Sequence, residues 1–169
     1  ARAAEGANLE QVKLSAQKAA DNVRSMGMSM SACILPGLDK PGFSLGENEI
    51  EIGMGIHGEP GIQKSGVKTA DELAEILLEK IMEDLDYRSR ETALMINGLG
   101  GTPLMELYVL AASIKKLLEQ KAISTCRVFV GNYMTSLEMA GCSVSMLRLD
   151  DELKRLLQAP CASPALTLQ

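Results

Sequence analysis

The chain has 169 residues, 46% of them hydrophobic, 23% charged and only 3% aromatic, with a formal charge of −5. That balance excludes a disordered or collagen-like polymer, and the length suits one domain whose core needs neither disulfides nor a structural metal. No apolar run reaches the roughly 18 to 20 residues of a bilayer-spanning helix, and scattered Lys and Arg without any Trp give nucleic acid neither a basic stripe nor stacking platforms.

Cys33, Cys126, Cys142 and Cys161 form no CxxC pair, and there is one His in the chain, so a zinc site lacks ligands. The thiols read as reduced side chains of a cytoplasmic protein. Ala1 stands where a start Met would, and no signal segment follows it. The chain therefore reads as cut from something longer, with residues 1–6 as a linker remnant ahead of a single domain.

Asn8 with Gln11 reads as a capping box. The spacing after it predicts a helix ending near Met26, with Gly27 at its C-terminus. Met28–Leu35 reads as a buried strand stopped by Pro36-Gly37. Glu49–Ile56 alternates and reads as a second strand, with His57–Gly66 as a loop. Thr69 and Glu72 form another capping box, opening a helix to about Leu85. A short strand over Thr92–Ile96, a Gly-rich turn at Asn97–Gly101 and a helix from Pro103 to about Gln120 come next. Strands at Thr125–Gly131 and Cys142–Leu149 flank a polar connection, Asn132–Gly141. A helix over Asp151–Gln158 and an extended tail complete the order. Alternation in the second half implies βαβ units and a largely parallel sheet, while the first two strands pair as a hairpin. The fold class is α/β, with a mixed, partly parallel sheet and helices packed on it.

Three constellations bear on chemistry. In Gly53-Met54-Gly55-Ile56-His57-Gly58-Glu59-Pro60-Gly61, the chain's only His sits at a strand end among small residues. Such neighbours let a substrate approach closely, and a neutral imidazole serves as base or as nucleophile towards a carbonyl. Gly and Pro that merely shape a turn explain the same pattern, and Glu59 either orients His57 or solvates the loop. Asn97–Gly101 opens a helix as an anion cradle would, yet it is neither a P-loop nor GxGxxG. Its other reading is a tight turn with a close backbone contact. Gly131–Met139 gathers Tyr133, Thr135, Ser136 and Glu138 after a strand, as a pocket lining or a polar loop would.

The His-bearing stretch, with Glu49–Ile52 before it, closely resembles the motif of the dihydroxyacetone-binding subunits of dihydroxyacetone kinases. Ser31-Ala32-Cys33, Pro36, Lys40-Pro41 and Phe43 resemble the block before it. Asn97–Gly101 with Glu106-Leu107, Val130–Met139 and Pro164–Thr167 resemble later blocks, in the family's order. The family's subunit is about twice as long, and this chain looks like its C-terminal domain.

The resemblance implies that His57 forms a covalent hemiaminal with the ketone carbon of dihydroxyacetone, with Gly55, Gly58 and Glu59 in the substrate loop. It implies no metal and no cofactor on this chain: ADP or ATP with Mg would sit on a nucleotide-binding kinase subunit that acts as partner. The family's catalytic Asp lies in the N-terminal domain, so this domain alone is expected to lack kinase activity. The full subunit is expected to be a cytoplasmic homodimer. Relatives that bind dihydroxyacetone and co-activate transcription without phosphorylating it supply the alternative reading.

Overall fold

The computed structural model describes residues 1–41, 43–55 and 60–168. Its first helix, α1 (Leu9–Asp21), opens with the expected box: Asn8 accepts from the Gln11 N–H and the Gln11 side chain accepts from the Asn8 N–H. It ends earlier than the spacing predicts, at Asn22, whose N–H bonds the Ala19 carbonyl. The residues assigned to its last turn begin β1 (Val23–Ser29) instead, and Met30–Leu35 is not strand. β2 (Glu49–Ile52) is shorter than expected, and β3 (Gln63–Gly66) lies inside the predicted loop.

The rest of the order follows the sequence closely. α2 (Ala70–Asp84) carries the Thr69–Glu72 box. β4 (Glu91–Gly98), α3 (Leu104–Gln120), β5 (Ser124–Gly131), β6 (Gly141–Leu149) and α4 (Asp151–Leu157) succeed it. The tail folds back as a small hairpin of β7 (Cys161–Ala162) and β8 (Thr167–Leu168). No helix of the described residues is long and apolar enough to cross a membrane.

The six-stranded sheet has the order β3-β2-β1-β6-β4-β5. β1 and β2 pair antiparallel, as the hairpin reading expects. The sheet is mixed, but the largely parallel reading fails. Only the β4–β5 pair, joined by α3, is parallel among the named pairings. β6 does not extend the βαβ series; it inserts between β1 and β4, antiparallel to both. There its Cys142, Val144 and Met146 are covered by both neighbours and the helices, which an edge position would not achieve.

Successive side chains point to opposite faces. On one face Met28, Leu94, Ile96, Val144 and Met146 join the main core, closed by Leu77, Leu78 and Ile81 of α2 and by Leu107, Ile114 and Leu118 of α3. Each Leu or Ile so buried contributes about 1.5–3 kcal/mol. On the other face α1 and α4 cover only one end, through Ala19, Leu153 and Leu157 packed with Ala93, Leu147 and Leu149. Residues 1–6 form turns stapled to α4 by the Glu5–Arg155 ion pair. The far end of this face carries Ser25, Ser143 and Ser145, with the Ser25 and Ser145 hydroxyls 2.5 Å apart across β1 and β6.

Candidate functional site

The Gly-rich stretch singled out in the sequence connects β2 to β3. His57, Gly58 and Glu59 lie outside the described residues. Both limbs of the connection are described, and both are tied down. The Gly53 N–H donates to the Gly27 carbonyl at 2.7 Å, and the Ile62 N–H to that of Ile52 at 2.8 Å. Gly53 turns at φ +84°, where a Cβ would stand 2.9 Å from Ile62, so glycine is required both by conformation and by space. A Cβ on Gly27 would lie 2.6 Å from the Met54 carbonyl oxygen. The connection therefore crosses closely over the face of β1 that α2 and α3 do not cover.

Beyond it, Met54 is buried in a small cluster with Leu99 and Met139, against which Cys33 and Phe43 pack. Gly55 follows, half-buried. This cluster joins four stretches far apart in sequence, and each lies in or beside a block that carries the family resemblance. The segment after β1 is pinned to the β5–β6 connection: Met30 N–H donates to the Ala140 carbonyl at 2.7 Å, and Ala140 N–H donates to the Ser31 hydroxyl at 3.0 Å. The Glu138 carboxylate accepts the Ile34 N–H at 2.7 Å, and that bond holds it below the usual carboxylate range. Cys33 Sγ lies 3.4 Å from Ser136 Oγ.

The Asn97–Gly101 turn and the Asn132–Glu138 segment are two halves of one contact. The Gly101 N–H donates to the Met139 carbonyl at 2.9 Å, Leu99 N–H to that of Gly141 at 3.0 Å, and Ser136 N–H to that of Leu99 at 2.8 Å. The Leu99 and Gly101 amides thus bond within the protein, which favours the tight-turn reading over an anion cradle. Buried Asn97 organises the segment opposite. Its Oδ1 accepts the N–H groups of Tyr133 and Met134 at 2.8 and 2.9 Å, and its Nδ2 donates to the Met134 carbonyl at 2.8 Å and to Ser143 Oγ at 3.3 Å.

Sequence reasoning found the connection but missed Glu51 as its support; Asn97 and Glu138 lay in stretches it singled out, and the structure gives them bonds to the β5–β6 connection and to the segment after β1. Glu51 is buried, and its Oε1 accepts the Gly61 N–H at 2.7 Å. In the alternating strand Glu49-Ile50-Glu51-Ile52, Glu51 reads as an ordinary solvent-facing residue, so the only signal was its place directly before a Gly-rich turn.

Comparison with known proteins agrees with this arrangement. The chain is 41% identical over 163 residues to the dihydroxyacetone-binding subunit DhaK of PTS-dependent dihydroxyacetone kinase 2 of Listeria innocua, covering 96% of this chain and 49% of that subunit. It is 37% identical to the L-erythrulose kinase of Pectobacterium atrosepticum, over 98% of this chain and 29% of that enzyme. The chain thus spans about half the length of the bacterial subunit and less of the longer kinase. Among solved structures, the dihydroxyacetone kinase operon co-activator Dha-DhaQ superposes with a TM-score of 0.87 at 29% identity, over 94% of this chain and 50% of that one. Residues 1–165 match the family model of the Dak1 domain, and with the shared fold and the motif blocks in order, the chain belongs to the Dak1 family.

Proposed function

We propose that this domain is the sugar-holding part of a dihydroxyacetone kinase, and that His57 captures the ketone of a short-chain ketose. The observation that supports the reading is that the chain's only His falls in sequence between two limbs that are each hydrogen-bonded to the sheet, in a chain 41% identical to a dihydroxyacetone-binding subunit. In the step itself, the lone pair of one imidazole nitrogen attacks the carbonyl carbon and the C=O π pair moves to oxygen. That oxygen gains a proton while the other ring nitrogen loses one. No water leaves, so the product is a hemiaminal. Capture of this kind selects ketoses over glycerol, which has no carbonyl. Glu59, Gly55 and Gly58 shape the approach to His57.

Phosphate transfer belongs to a partner subunit that carries ADP or ATP with Mg, and this chain alone does not turn over. The full subunit works as a cytoplasmic homodimer; four free thiols support a reducing compartment. A second reading, a dihydroxyacetone sensor that co-activates transcription without kinase activity, is favoured by the close superposition on the operon co-activator.

Intact-protein mass spectrometry with dihydroxyacetone tests capture. The wild type is expected to gain the full mass of the ketone, and His57→Ala to gain nothing. An equal gain in both, or a loss of water on addition, would overturn the hemiaminal. Phosphorylation assays with the nucleotide-bearing subunit then separate kinase from sensor.

A further inference from the structure

Glu51 is buried where a strand of its pattern would leave it wet. Its neighbours Ile50 and Ile52 enter the main core, while Glu51 lies on the opposite face, 7% exposed. Its register partner on β3 is Lys64, whose ammonium lies 3.2 Å from the Ser44 carbonyl and 3.8 Å from Glu49. A carboxyl shut away from water weakens a fold unless it is well bonded, so its retention asks for a reason outside the core.

The bond it makes supplies one. Glu51 Oε1 takes the Gly61 N–H at 2.7 Å, and a Cβ on Gly61 would stand 2.6 Å from Glu51 Cγ and closer still to the Ile52 carbonyl. The backbone at Gly61 is pressed directly onto the carboxyl. Gly61 lies four positions after His57 in the sequence, and the outgoing limb is fixed separately by the Gly53–Gly27 bond.

We propose that Glu51 is a positioning residue: its buried carboxyl holds the returning limb of the His57 connection, so that the imidazole meets the ketone pre-organised. The proposal rests on the sugar-holding reading for its purpose, but the clamp itself does not.

The test compares wild type, Glu51→Leu and Glu51→Gln by thermal unfolding, by hydrogen exchange across residues 53–62 and by the rate of dihydroxyacetone capture. Leu removes the acceptor and the charge while filling similar space. It is expected to leave the unfolding midpoint unchanged or higher, to speed exchange of the 53–62 amides about tenfold, and to slow capture about tenfold or more. Gln keeps an oxygen acceptor and is expected to restore both. If Leu folds and exchanges like wild type over 53–62, the clamp is wrong. If exchange rises and capture does not change, the positioning role is wrong. A wild type that never captures the ketone defeats the sugar-holding reading, while the exchange comparison still decides the clamp. Should Leu fail to fold, Glu51→Met carries the same comparison.

Discussion

The carbonyl oxygen of Leu137 occupies the space that a side chain on Gly100 would need. Both residues hold left-handed backbone, Gly100 at φ +123° and Leu137 at φ +52°. Gly100→Ala is therefore expected to cost about 2–4 kcal/mol, from strain and overlap together. Gly37→Ala, at φ +85° with nothing within 4 Å, should cost about 1 kcal/mol. Urea titrations of the two variants check the difference.

Asn97 ties β4 to the β5–β6 connection through three side-chain hydrogen bonds and to Ser143 of β6 through a fourth. Asn97→Ala leaves these part-buried groups without their partner and should lose about 1–3 kcal/mol. Hydrogen exchange should rise first at Tyr133 and Met134.

The Ile34 N–H holds the Glu138 carboxylate below its ordinary range. A depressed folded value means that this contribution is present above the unfolded value near 4.5 and is lost as the pH falls through the lower, folded one. The Ile34 amide resonance should therefore titrate on acidification. In Glu138→Gln, which keeps an acceptor but has no carboxyl to protonate, it should stay flat.

Tyr87 is fully buried, and its hydroxyl donates to the Met146 carbonyl at 3.0 Å. Burial pushes the phenol up to about 12. The raised value means that its contribution is whole below the unfolded value near 10 and is lost as the pH rises towards 12. Tyr87→Phe should cost about 1 kcal/mol at neutral pH and flatten the alkaline loss of stability, which equilibrium unfolding at several pH values measures.

Burial also pushes the Cys142 thiol up to about 12, whereas Cys161 lies exposed on the terminal hairpin. Native alkylation should modify Cys161 first and reach Cys142 only on unfolding. Peptide mapping by mass spectrometry reads the order.

Local signals were legible and non-local ones were not. Both capping boxes stand where Asn8-x-x-Gln11 and Thr69-x-x-Glu72 place them, because each is closed within one helical turn. β1 was misplaced because Val23-Arg24-Ser25-Met26 continues a helical spacing, and only pairing with β6 makes it a strand. β3, Gln-Lys-Ser-Gly, carries no apolar pattern at all and exists because β2 offers it an edge. The parallel reading failed for a similar reason: no local feature of β6 announces that it will pass between β1 and β4. At the candidate site, the Gly and His pattern located the β2–β3 connection. Glu51 escaped notice because its burial comes from the connection folding back over the sheet, a contact made ten residues along the chain.

The pairing of Val23 with Leu147 places the centre of the sheet between segments made far apart in time. On a ribosome adding about 5–20 residues each second, β1 waits roughly ten seconds, and β4 less than half as long, for the strand that joins them. Until then each presents an unpaired border to neighbouring nascent chains. Slow, late closure of this seam follows from the strand order.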